Sequence, residues 1–99
     1  MILEHALLNV RPGLEAEFES AMRTAQLLIS ATPGFLGLEV RPCLERSGLY
    51  LLLVRWETVE AHEIGFRKSE RYLEWGRLLH RFYEPFPEVL HFRDAVVVA

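Results

Sequence analysis

The stretch Leu49-Tyr50-Leu51-Leu52-Leu53-Val54-Arg55-Trp56 constrains this 99-residue chain more than any other. Read as a strand, it places Leu49, Leu51, Leu53 and Arg55 on one face and Tyr50, Leu52, Val54 and Trp56 on the other. Both faces are apolar over most of their length, whereas a sheet with one face in water should be polar at every second residue. An uncovered face of this kind would form a patch of several hundred Å², larger than soluble monomers usually tolerate. Whatever fold holds this strand must cover it on both sides.

The rest of the chain supplies cover for one side. Residues 2–10 are mostly apolar and end at Arg11-Pro12-Gly13, which breaks a strand ladder. Leu14, Phe18, Met22, Ala25 and Ile29 then recur every three or four residues, the stripe of an amphipathic helix that Thr32-Pro33-Gly34 stops. Residues 35–41 and 48–56 read as a hairpin around a turn-rich connection. A broken second helix follows, with Thr58 and Ser69 as N-caps; Val59, His62 and Phe66 share one face, and Tyr72, Trp75, Leu79 and Phe82 form the next stripe. After Glu84-Pro85-Phe86-Pro87, residues 89–98 are expected to close the sheet as a last strand buried on both sides.

This order predicts one domain over residues 1–99, an α+β, ferredoxin-like βαββαβ unit with a four-stranded antiparallel sheet and both helices on one side. A chain this short buries only about two-thirds of its unfolded surface, so help from a partner subunit is expected. The economical cover for the second face is another copy: a twofold homodimer whose sheets pack face to face as a dimeric α+β barrel.

Charge and composition narrow the partners. The formal charge of −3 with interspersed signs leaves no basic stripe for nucleic acid. No apolar run approaches the length of a membrane span, and no basic leader precedes the first strand, so a cytoplasmic location is expected. One cysteine, Cys43, excludes an intrachain disulfide and a cysteine-based zinc cage. No two of His5, His62, His80 and His91 stand four residues apart, so no metal site is expected, and the absence of a Gly-rich phosphate loop argues against nucleotide or flavin cofactors.

Candidate chemistry concentrates in the broken helix. His62 lies on the side that points to the helix–sheet gap, where a titratable imidazole can move a proton near neutral pH, although a half-buried structural histidine has the same pattern. Phe66, Trp75 and Leu79 with Tyr72 form an aromatic and aliphatic wall suited to a flat organic ligand, or simply to a core. His80, near the helix end, is favoured there as a cation by the dipole. His5 and His91 fall on the first and last strands, taken as central, and structural roles are expected for both.

Val10-Arg11-Pro12-Gly13 with Glu17-Phe18, Thr32-Pro33-Gly34-Phe35, Trp56-Glu57-Thr58, Glu60-Ala61-His62, Phe66-Arg67-Lys68-Ser69 and Tyr72 follow one another in an order that resembles the antibiotic biosynthesis monooxygenase family of dimeric α+β barrels. The resemblance implies a homodimer with a pocket between helices and sheet in each subunit. It also implies, in some members, oxidation of quinols or phenols by molecular oxygen without metal or flavin. Carried onto this chain, His62 and Tyr72 become the candidate catalytic residues, and Phe66, Trp75, Asn9 and Leu79 the candidate substrate-binding residues. The haem-degrading branch fits less well, since Ala6 stands where that branch has Asn. Non-catalytic binding of a small aromatic molecule, and a purely structural dimer, are the competing expectations.

Overall fold

The computed structural model describes every residue, Met1–Ala99. Its elements are β1 (Ile2–Asn9), α1 (Glu15–Ser30), β2 (Phe35–Pro42), β3 (Leu49–Trp56), a π-helical turn (Ala61–Phe66), α2 (Glu70–Leu79), a 3-10 turn (His80–Phe82) and β4 (Val89–Phe92). The sheet is antiparallel with order β2-β3-β1-β4, the ferredoxin-like α+β arrangement.

Strand alternation decides which face receives the helices. The β1–β3 register sets Glu4 against Val54, Ala6 against Leu52 and Leu8 against Tyr50, and all six are buried. Phe18, Met22, Ala25 and Ile29 of α1 and Trp75 and Leu79 of α2 are buried with them, and the α1 stripe is the one the periodicity predicts. The Tyr50 hydroxyl donates to Glu19 across 2.6 Å, pinning α1 to β3. Both inferred caps form: the Thr58 hydroxyl accepts from the Ala61 N–H at 3.1 Å, and that of Ser69 from the Tyr72 N–H at 3.3 Å. Such caps each contribute about 1 kcal/mol. No helix is long and apolar enough to cross a membrane.

The opposite face carries Leu3, His5 and Leu7 of β1, Leu49, Leu51 and Leu53 of β3, and Leu90 and Phe92 of β4, with no layer of this chain above them. The two-sidedness of β3 is thus real: its even-numbered residues are buried and its odd-numbered ones only half-buried.

Two expectations about the last strand are corrected. β4 lies at the sheet edge, and the central pair is β1 and β3. It also ends at Phe92 rather than at residue 98, and Val96 is 99% exposed. The reason is the antiparallel register, which pairs Val89 with Ala6 and Phe92 with Leu3. Each further residue of β4 would need a partner nearer the start of β1, and β1 runs out at Ile2. Ala95-Val96-Val97-Val98 therefore has strand-forming residues but no strand beside it.

Gly34 fixes the junction between α1, β2 and the π-helical turn. Its φ is +91°, and a Cβ there would fall 2.7 Å from the Ala61 Cβ, while its carbonyl accepts the Glu57 N–H at 2.8 Å. A side chain meets both backbone strain and a packed neighbour. Gly34→Ala is expected to cost about 2 kcal/mol and to lower the melting temperature on the order of 10 °C, read by thermal denaturation.

Candidate functional site

Trp56, at the end of β3, is fully buried, so its indole N–H must find an acceptor inside the protein. Glu4 Oε1 provides it at 2.9 Å from the adjacent strand. This sets a carboxylate, 4% exposed, into an otherwise apolar face. The π-helical turn lays His62 over the same indole, ring centroids 5.2 Å apart and planes 17° from parallel. The turn widens where the Arg67 N–H bonds the His62 carbonyl five residues back, at 2.9 Å, and both His62 and Phe66 end up buried against the sheet. Widened turns of this kind recur at functional sites.

His62 uses both ring nitrogens. Nδ1 lies 2.7 Å from Nε2 of His91 on β4, and Nε2 lies 3.4 Å from Glu4 Oε1, a looser contact than an ordinary hydrogen bond. Burial first, then the Arg67 and His91 charges, lower the His62 pKa from 6.5 to about 3. Burial raises that of Glu4, against the pull of the Trp56 hydrogen bond and the Arg67 charge. His62 is therefore neutral at neutral pH and carries one ring proton. Two arrangements satisfy the row: His91 donating to His62 and His62 to a Glu4 carboxylate, or a protonated Glu4 donating to His62 and His62 to His91. A proton can sit at either end.

Glu4, His62, Phe66, Arg67, Tyr72, Trp75, His80, Tyr83 and Phe86 border a cavity between the helices and the sheet. Its volume is about 30 Å³, room for a water or two. Phe66 meets Tyr72 and Trp75 edge-on at 5.4 and 5.5 Å. At the outer end the His80 ring packs 4.9 Å from Phe86, which is 58% exposed. Burial, then Arg67, lower the His80 pKa, which corrects the expectation of a dipole-stabilised cation there. Burial and the neighbouring Tyr72 push the Tyr83 phenol up, and it stays protonated.

Of the residues singled out in the sequence, His62, Phe66, Tyr72 and Trp75 meet at this cavity. Leu79 is fully buried in the core behind it, and Asn9, paired with Leu49, lies on the other face of the sheet, away from the cavity. Pattern alone missed Glu4 and His91. Glu4 carries a signal in hindsight, a carboxylate sharing strand parity with Ala6 and Leu8. His91 needed the register that sets it opposite Glu4.

Fold and site together define a ferredoxin-like α+β subunit with a small acid–base cavity between its helices and its sheet. The chain belongs to the antibiotic biosynthesis monooxygenase family, whose model matches residues 1–78. It is 51% identical over 94 residues to the uncharacterised protein YczJ of Bacillus subtilis strain 168, covering 95% of this chain and 99% of that one. A crystal structure from Bordetella bronchiseptica, assigned to the same family, superposes with a TM-score of 0.90 at 34% identity, covering 96% of this chain and 97% of that one. SnoaB, a cofactor-independent oxygenase from Streptomyces nogalater, shares the fold with a TM-score of 0.85 at 18% identity, covering 98% and 95% of the two chains.

The lowered His62 pKa has a consequence for stability. Between about 3 and 6.5 the unfolded chain binds the proton and the folded chain does not, so stability is full above 6.5 and falls with decreasing pH. Glu4, shifted the other way, gains stability over part of the same descent and offsets some of the loss. Chemical denaturation at pH 7 and pH 5 should show wild type losing on the order of 2 kcal/mol more than His62→Gln.

Proposed function

We propose that this chain is a cytoplasmic, homodimeric, cofactor-independent monooxygenase that oxidises a small phenol or quinol with molecular oxygen in the helix–sheet cavity. One observation carries the proposal: a buried acid–base row, Glu4–His62–His91, reaches a cavity walled by Phe66, Tyr72 and Trp75. An ionised phenol is electron-rich enough to reduce oxygen. One oxygen atom enters the ring to give a quinone and the other leaves as water, so the substrate supplies every electron. Removing the phenolic proton is then the step the protein must assist, and the buried row of carboxylate and neutral imidazoles beside the cavity suits it. Tyr72 anchors the ligand through its hydroxyl, while Phe66 and Trp75 hold its ring. That SnoaB, of the same fold, is a cofactor-independent oxygenase supports this reading.

A second function has one observation in its favour. At about 30 Å³ the cavity holds no phenol as it stands, which suits a non-catalytic dimer whose cleft is filled by its own side chains. A substrate would have to displace Phe86 and Pro87 at the outer end. Oxygen uptake with a panel of quinols decides between the two. The monooxygenase should turn over at least one of them, and His62→Ala should lower kcat/KM by about 10²-fold. Uptake no faster than the buffer blank, or an unchanged rate in His62→Ala, would count against it.

The homodimer is supported by the uncovered face of Leu3, Leu7, Leu51, Leu53, Leu90 and Phe92. Sheet-to-sheet pairing there closes an α+β barrel and leaves the cavity clear. Sedimentation at micromolar concentration should give twice the chain mass, and Leu51→Lys, beside Arg41, should give one chain mass. A wild-type mass equal to one chain would contradict it.

A further inference from the structure

The cavity holds five groups that could take a phenolic proton: Glu4, His62, Tyr72, His80 and Tyr83. Four are poorly placed for it. His62 has Nδ1 committed to His91 and Nε2 turned to Glu4, so neither nitrogen is free for a ligand. His80 is hemmed in by Tyr72, Tyr83 and Phe86. Both tyrosines are themselves phenols and gain nothing by exchanging a proton with another one.

Glu4 differs in geometry. Trp56 Nε1 and His62 Nε2 both address Oε1, and no protein group donates to Oε2. No lysine or arginine forms an ion pair with it, although the side chain is only 6% exposed. A buried carboxylate without a cationic partner is costly, and as a mere acceptor for the indole a glutamine would serve better. Burial also raises its proton affinity, which brings a carboxylate closer to a phenol.

We propose that Glu4 is the catalytic base: its Oε2 takes the proton of the bound phenol, and His62, held in turn by His91, is a positioning residue that fixes Oε1. In this step the phenol O–H bond breaks, its electron pair stays on the phenolate oxygen, and a new O–H bond forms on Glu4. With the proton on Oε2, Oε1 becomes the carbonyl oxygen, which still accepts from the Trp56 N–H and faces His62 Nε2–H, so the row keeps its first arrangement. The charged and titratable groups facing Glu4 are His62 from the π-helical turn, Arg67 just after it and His91 from β4, with the Trp56 N–H from β3. The assignment rests on the phenol-oxidising function proposed above, but the proton step can be read without turnover.

Glu4→Gln keeps a carbonyl oxygen at the place of Oε1, where the Trp56 N–H and His62 Nε2 meet it, so the fold should survive, checked by circular dichroism and melting. Two measurements on wild type and Glu4→Gln decide the proposal. Anaerobic binding of 4-nitrophenol, buffered below the phenol's own ionisation, should give the visible phenolate band and a carboxyl C=O infrared band with wild type and neither with Glu4→Gln. Quinol-dependent oxygen uptake should fall by at least about 10²-fold in Glu4→Gln. A wild type that produces no phenolate, from lack of binding or of transfer, overturns the assignment, as does a variant that still produces it or keeps its rate within tenfold. Phenolate formation by wild type alone, without oxygen uptake from any quinol, would leave Glu4 as the base and refute the oxidation.

Discussion

The interaction on which the rest depends is the hydrogen bond from the Trp56 indole to Glu4. A fully buried indole N–H left without a partner costs about 1–3 kcal/mol, so the end of β3 needs an acceptor from the neighbouring strand. Meeting that need buries a carboxylate. The carboxylate draws His62 to its edge, and the stacking of His62 on Trp56 fixes where the π-helical turn lies on the sheet. His91, opposite Glu4 on β4, completes the row. A single apolar-face commitment thus produces a polar island in the core.

The sheet divides its labour by strand parity. Even-numbered residues of β1 and β3 face the helices and hold both the core and the cavity; odd-numbered ones form a leucine-rich face with no cover from this chain. Contacts made on that second face leave the cavity unobstructed. β4 nonetheless ties the two together, since His91 projects to the helix side while Leu90 and Phe92, its immediate neighbours, project to the other. Whatever holds this four-residue edge strand in place holds His91 as well.

Much of the architecture was legible because it rests on periods of two and 3.6. The α1 stripe, the two N-caps and the double-faced β3 follow from side-chain spacing and local hydrogen-bonding chemistry, and each appears where the pattern puts it. The last strand departs from its local pattern for the complementary reason. Val96, Val97 and Val98 have strand propensity, but a strand exists only beside another, and β1 ends before them. Of the cavity, His62, Phe66, Tyr72 and Trp75 were found from one helical segment, whereas Asn9 faces the other way and Leu79 lies behind the wall.

The sequence alone determined the element order, the faces of each helix and strand, and the presence of more apolar sheet surface than one helix layer can cover, because these depend on residues a few positions apart. Tertiary structure alone decided that Glu4, Trp56, His62 and His91 meet, since they come from four segments spread over 88 positions of the chain and join only through sheet register and the packing of the π-helical turn on the sheet. It also decided their protonation. A histidine becomes neutral, and a carboxylate proton-seeking, through the water each has lost, and that loss belongs to the packed fold rather than to any local pattern.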